Sequence, residues 1–146
     1  MPMYPEPMIA PMRAELTSVG FHELRDAADV EKALRDAKGT TLLVVNSMCG
    51  CAARNARPGL ARALQHATKP EKLVTVFAGQ DPDATRQART YLAGYAPSSP
   101  SIGLLKDGQL VYMMERWQIE GRDAVAIAAD LVNAFEEHCA GETAAR

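Results

Sequence analysis

Two kinds of connection join the apolar runs of this chain, and together they leave few sheets that it can build. Residues 40–45 and 73–78 are short runs rich in β-branched side chains, bounded by turn residues, and they read as buried strands. The stretch between them is long enough for a helical crossover, which makes two strands parallel. Ser101–Lys106 and Gln109–Met114 are joined by Asp107-Gly108 alone, a tight-turn pair that makes its strands antiparallel. The expected architecture is α/β, a central mixed sheet of about four strands flanked by helices.

The helices follow from spacing and punctuation. Met8, Ile9, Met12 and Leu16 fall at helical intervals within residues 5–19, an N-terminal helical extension that Gly20 ends. Asp29 is a candidate cap for a short helix with Val30, Ala33 and Leu34 inward, closed by Gly39. An alanine-rich helix runs to His66, with Pro58 expected to kink it. Asp81-Pro82 opens a helix to Tyr95, and Gly121 and Asp123 introduce a closing one through Phe135, with a frayed tail from Ala140. The order is α-α-β-α-β-α-β-β-α. No repeat or linker divides it, so residues 1–146 are expected to form a single domain.

Composition narrows the partners. The net charge of −2 offers no basic surplus for nucleic acid or an anionic membrane surface. The first twelve residues hold four prolines and lack the cationic start and apolar run of a secretory signal. No segment approaches the roughly 20 apolar residues of a membrane helix. The expectation is a cytoplasmic protein, and there cysteines one residue apart are catalytic, redox-sensing or metal-binding rather than a structural framework.

Cys49-Gly50-Cys51 stands where the first strand ends and a helix begins. Free N–H groups and the helix dipole at such a position favour a thiolate, the nucleophilic form. Gly50 lets the backbone bend between two sulfurs that must meet. The ring closed by Cys-x-Cys is smaller than that of Cys-x-x-Cys, so its disulfide is expected to be readily reduced. With the mixed sheet, this is the layout of the thioredoxin superfamily. Cys49 is the expected nucleophile on a mixed disulfide of a client protein, taking over either sulfur, and Cys51 or a free small thiol resolves the intermediate. No bound cofactor is required.

Pro100 precedes a strand within Ser98-Ser99-Pro100-Ser101. In a thioredoxin-like fold a cis proline there lies beside the catalytic sulfur and admits a substrate backbone, so Ser99 and Pro100 are candidate substrate-binding residues. The alternative is an ordinary trans proline in a loop. Arg54 and Arg57, one turn apart, read either as a solvated helix face or as partners of a thiolate or a substrate carboxylate. Asn46 and Ser47 either donate hydrogen bonds near the sulfur or end the strand. Cys139 is either an accessory thiol or a small apolar residue. His138 reads as solvent-facing. Glu115, Arg116 and Trp117 are a candidate rim, with Trp117 assigned to packing. Cys49, Cys51, His138 and Cys139 would together be a metal site only if the tail met the active loop.

Val44-Val45-Asn46-Ser47-Met48-Cys49-Gly50-Cys51-Ala52-Ala53 resembles the active-site segment of the bacilliredoxin family. Residues 74–81, 96–101, 119–121 and 11–16 continue the likeness, as do residues 135–139 at the C-terminal end. The resemblance implies a thioredoxin-like fold and reduction of mixed disulfides between proteins and the small thiol bacillithiol, with Cys49 as nucleophile and Cys51 as second thiol. S-thiolated client proteins and a recycling reductase are the implied partners, and isomerase activity is attributed to the family. Met48 and the segment 113–117 depart from its pattern, and no acid/base residue is carried over. Three readings stay beside this one: a general protein disulfide reductase or isomerase, a metal-binding module, and a redox sensor whose disulfide toggles a partner surface.

Overall fold

A computed structural model describes residues 2–144. Its sheet has five strands in the order β1-β3-β2-β4-β5: β1 (His22–Glu23), β2 (Thr40–Asn46), β3 (Lys72–Phe77), β4 (Ser101–Lys106) and β5 (Gln109–Met114). β2 pairs parallel with β3 and antiparallel with β4, and β4 pairs antiparallel with β5. The mixed sheet is as expected; the fifth strand is a correction to the count of about four. β1 pairs with β3 through only two residues, too few to show an alternating pattern in sequence.

Every residue of β2 is buried, because helices cover both faces of the sheet. Leu42 and Val44 face one core with Ile102 and Leu104 of β4, packed under Leu60, Ile127, Leu131 and Phe135. Leu43 and Val45 face the other with Val74 and Val76 of β3, under Val30, Leu34, Ala84 and Ala88. The period of two in the strand thus sorts four consecutive apolar residues into two cores.

The helices are α1 (Glu6–Thr17), α2 (Ala27–Leu34), α3 (Arg57–Ala63), α4 (Pro82–Arg89), α5 (Arg116–Ile119) and α6 (Ala124–Ala144). Several differ from expectation. α1 turns Ile9, Arg13 and Leu16 inward, whereas Met8 is exposed. Arg13 is accepted there because three carboxylates meet it: Glu6 at 2.6 Å, Glu23 at 3.0 Å and Asp81 at 2.8 Å. Asp26, not Asp29, caps α2, its carboxylate accepting from the Asp29 N–H at 2.8 Å. Pro58 lies inside a run wound helically from Gly50 to Ala63, as expected, and the helix is distorted next to it: residues 52–56 are wound as a wider π turn. α4 ends at Arg89 and tightens into a 3-10 turn at Thr90–Leu92. α6 continues past Phe135 and Ala140 to Ala144; the rest of the expected frayed tail, residues 145–146, lies outside the described residues.

α3 and α6 run side by side in the same direction, Gly59 against Ile127 and His66 paired with Glu136 at 2.7 Å. A Cβ at Gly59 would stand 2.7 Å from Ile127 Cγ2 and 3.0 Å from its Cβ. Overpacking of this kind costs about 1–3 kcal/mol, so Gly59→Ala is expected to lower the unfolding free energy by that amount, read as a lower urea midpoint with an unchanged m-value.

Candidate active site

The central strand delivers the cysteines. β2 ends at Asn46 beside the last residue of β3 and the first of β4, with Asn46 opposite Phe77 and Val45 opposite Ser101. The chain leaves the sheet through Ser47 and Met48, and helical winding begins at Gly50. The N–H groups of Ala52 and Ala53 donate to the Cys49 carbonyl at 3.1 and 3.2 Å, which closes the first turn. Gly50 is not in the left-handed region, so it serves here by lacking a side chain. The Arg54 guanidinium lies over it, 2.6 Å from where a Cβ would stand.

Both sulfurs are partly exposed thiols, and they lie 2.7 Å apart. Burial opposes a charge on Cys49. Hydrogen bonds from the Cys51 thiol, the Ser47 hydroxyl and the N–H groups of Ala52 and Cys51 outweigh it and hold Cys49 below the usual thiol range. The Ser47 hydroxyl reaches the Cys49 sulfur at 3.1 Å. Burial pushes Cys51 up, and its hydrogen bond to Cys49 and the charge there add to the rise, with Arg116 opposing. Cys49 therefore ionises first, with Cys51 protonated and donating to it. That order is what an attacking thiol and a waiting second thiol require.

A relay of polar groups fixes the loop. Arg57 is buried, so the solvated-face reading of that residue is corrected. Its Nη1 donates to Asn46 Oδ1 at 2.9 Å and to the Ser47 carbonyl at 2.8 Å, and its Nε meets Glu15 at 3.0 Å. Asn46 thus holds Arg57 rather than the sulfur, while Ser47 both follows the strand end and donates to Cys49. Arg54 is the exposed member of the two arginines. Ser47→Ala is expected to move the rise of Cys49 alkylation rate to higher pH, with several-fold slower attack at neutral pH. Iodoacetamide kinetics across pH would measure it.

The peptide bond Ser99-Pro100 is cis, and Ser99 lines the same pocket as Cys49. This pocket, about 460 Å³, is also lined by Met48, Arg89, Arg116 and Tyr4. Arg116 Nη1 donates to the Ser99 carbonyl at 3.0 Å, and Arg89 Nη2 to that of Ser98 at 3.4 Å. The N-terminal segment forms one wall, with the Met3 N–H on the Gly79 carbonyl at 2.9 Å and the Tyr4 N–H on Gln80 Oε1 at 3.1 Å. A larger cavity of about 560 Å³, between Tyr91, Tyr95 and β5, holds no cysteine.

Cys139 is not brought to this site. Asn55, one turn beyond Cys51, bonds the Arg122 carbonyl just before α6, and Cys139 stands about 22 Å further along that helix. It is fully buried in the core shared by α3 and α6. His138, expected to face solvent, is largely covered and pairs with Glu137 at 2.9 Å. Among the described residues no group of three or more His, Cys, Asp or Glu converges on a metal position. Trp117 is 70 % exposed, which corrects its assignment to packing, and its indole N–H donates to Glu115 at 3.0 Å; of the candidate rim residues only Arg116 lines the pocket. Sequence reasoning missed Arg89, Tyr4 and Met3. A basic residue in a last helical turn gives no sign that it lines a pocket, and the other two precede every recognisable element.

A family model described as disulphide isomerase matches residues 4–139. Among curated proteins the chain is 54 % identical over 144 residues to a bacilliredoxin of Koribacter versatilis, covering 99 % of each chain. It is 50 % identical over 137 residues to a bacilliredoxin of Bacillus licheniformis, covering 93 % of this chain and 95 % of that one. Among solved structures it superposes on mitochondrial thioredoxin 3 of Saccharomyces cerevisiae with a TM-score of 0.56 at 18 % identity, over 82 % of this chain and 98 % of that one. Fasciola hepatica thioredoxin gives 0.53 at 19 %, over 81 % and 99 %. These two likenesses establish a thioredoxin fold.

Proposed function

The chain belongs to the bacilliredoxin family, and on that premise we propose that it reduces mixed disulfides between proteins and bacillithiol through Cys49. It is a thiol–disulfide oxidoreductase. The observation that supports Cys49 as the attacking thiol is the asymmetry of the two sulfurs, which lie 2.7 Å apart with the pKa of Cys49 lowered and that of Cys51 raised, and the bacilliredoxin relatives supply the small-thiol class. In this reading the Cys49 thiolate attacks the small-thiol sulfur of the mixed disulfide. A Cys49–small-thiol disulfide forms, the client–sulfur bond breaks, and the electron pair leaves on the client thiolate, which takes up a proton. The Cys51 thiolate then attacks Cys49, releasing the small thiol and leaving a Cys49–Cys51 disulfide. A recycling dithiol reductase in the cytoplasm returns that disulfide to two thiols. Ser99 lines the approach of the incoming disulfide, and Pro100, buried next to it in the chain, is assigned with it to substrate binding.

The family model's description favours a second reading, reduction or isomerisation of disulfides between two protein cysteines. The two separate on Cys51. Release of a small thiol's client needs only Cys49, whereas completing the reduction of a protein disulfide needs both cysteines. A single-cysteine client carrying bacillithiol or glutathione, run in parallel, tests this. We expect client release by wild type, loss with Cys49→Ala, and a retained first turnover with Cys51→Ala. No release from either adduct by wild type overturns the reading.

A further inference from the structure

The pocket that opens on Cys49 has a marked charge bias. Two arginines from distant parts of the chain, Arg89 at the end of α4 and Arg116 at the start of α5, line it, and no carboxylate does. Arg116 forms an ion pair with Glu120 at 3.3 Å, but both side chains are largely solvated, where such a pair contributes little. Its position is set by its bond to the Ser99 carbonyl. Charge on Cys51, the bond to Glu120 and charge on Cys49 each favour its protonated form, which places this guanidinium within electrostatic reach of both sulfurs.

Arg89 is the less ordinary of the two. Its Nε is buried with no acceptor among the described residues, and its one hydrogen bond is the long one to the Ser98 carbonyl. No carboxylate among the described residues neutralises it. Burial alone pushes its pKa down, without an opposing anion. A partly desolvated cation without a counter-ion is costly to maintain in the free protein, and an anion entering beside it recovers that cost. Purely structural arginines in this molecule look different: Arg13 meets three carboxylates, and Arg57 meets Glu15, Asn46 and the Ser47 carbonyl.

We propose that Arg89 and Arg116 form an anion-recognition subsite that selects small thiols bearing carboxylates and holds the carboxylate while Cys49 attacks the adjoining sulfur. The inference rests on the mixed-disulfide reading of the site and adds the two residues that tell one small thiol from another. It also gives direction to the exchange. With the anionic half seated among the arginines, its sulfur is the one presented to Cys49, and the client sulfur is the leaving group. The disulfide bond of the adduct breaks as the Cys49–small-thiol bond forms, so no further oxidant or reductant enters this step.

The test uses the full chain in single turnovers, in reduced form and in excess over a single-cysteine client. The client carries either mercaptosuccinate, a dicarboxylate, or 2-mercaptoethanol, which is neutral. Rates are divided by those of dithiothreitol on the same adducts, to remove the intrinsic difference between the disulfides. Wild type is expected to prefer the mercaptosuccinate adduct by about tenfold, the scale of one charge-assisted contact. Arg89→Gln is expected to collapse that ratio several-fold, and Arg89→Lys to keep part of it. Arg116→Gln, an exposed position whose variant tests the subsite even if Arg89→Gln fails to fold, is expected to reduce it as well. A wild-type ratio near one, or ratios unchanged in both Gln variants while release proceeds, overturns the subsite and leaves the exchange reading standing. No release from either adduct by wild type overturns both.

Discussion

Cys49→Ala is expected to abolish release of a client from its small-thiol adduct, by on the order of a thousandfold or more, the scale seen when a nucleophile is removed from an active site. Cys51 cannot replace it. Burial, its bond to Cys49 and the charge on Cys49 all raise its pKa, so at neutral pH it is the poorer thiolate. In Cys49→Ala the last two causes vanish and burial remains. Cys51→Ala is expected to behave differently. It keeps the Ser47 hydroxyl and the backbone N–H donors on Cys49 but loses one hydrogen bond to the thiolate, so its first turnover survives at a reduced rate. Rate against pH should rise through the Cys49 titration in wild type, since the thiolate accumulates as pH increases through a depressed pKa. In Cys51→Ala the rise should lie at higher pH. Stopped-flow thiol release with the three proteins measures all of this.

The second large effect concerns stability. Arg13→Leu is expected to cost about 3–5 kcal/mol, the consequence of removing one partner from a buried ionic cluster. Arg13 is buried between Glu6, Glu23 and Asp81, and its guanidinium lies 5.4 Å from the centre of the Phe77 ring. It ties α1 to β1 and to the start of α4, beneath the N-terminal segment that walls the pocket. In the variant Arg25 still approaches Asp81 at 3.4 Å, but it is half exposed. Glu23 is left worst off, because burial already pushes its pKa up and Arg13 is the main influence opposing that rise. The sign of the pH dependence follows. A carboxyl whose folded pKa lies above its unfolded value binds more protons when folded, so stability falls as pH rises through that window. The deficit of Arg13→Leu relative to wild type should therefore grow from acid to neutral pH. A deficit independent of pH would indicate lost packing instead. Urea melts at several pH values distinguish the two.

Much of the site was legible in the sequence because its chemistry is local. The strand, the two cysteines and the start of a helix are contiguous, and Asp107-Gly108 fixed the antiparallel half of the sheet, with both residues at positive φ as a tight hairpin turn requires. Pro100 was legible for a different reason: it stands directly before β4, which pairs with β2 next to the cysteines. What stayed hidden depends on contacts far apart along the chain. Arg57 carries the pattern of a solvated helix residue, and only the fold brings Glu15, Asn46 and the Ser47 carbonyl around it. Arg13 likewise looks like an exposed neighbour of Met12 until Glu23 and Asp81 are placed beside it. β1 and α5 are too short for periodicity, and α5 is defined by its reciprocal Glu115–Gln118 cap. Gly50 is expected from sequence to supply a backbone bend between the sulfurs, whereas its φ is not left-handed and the space it leaves is taken by Arg54.

The central claim is that Cys49 exchanges directly with a client disulfide, and trapping the first covalent product tests it most directly. Cys51→Ala would be mixed with a bacillithiol-linked client, quenched with acid, and its active-site peptide weighed by mass spectrometry. The account predicts bacillithiol in disulfide linkage to Cys49, appearing as the client thiol is released. A Cys49 that stays unmodified while the client is freed, or an adduct found on Cys139 instead, would contradict it.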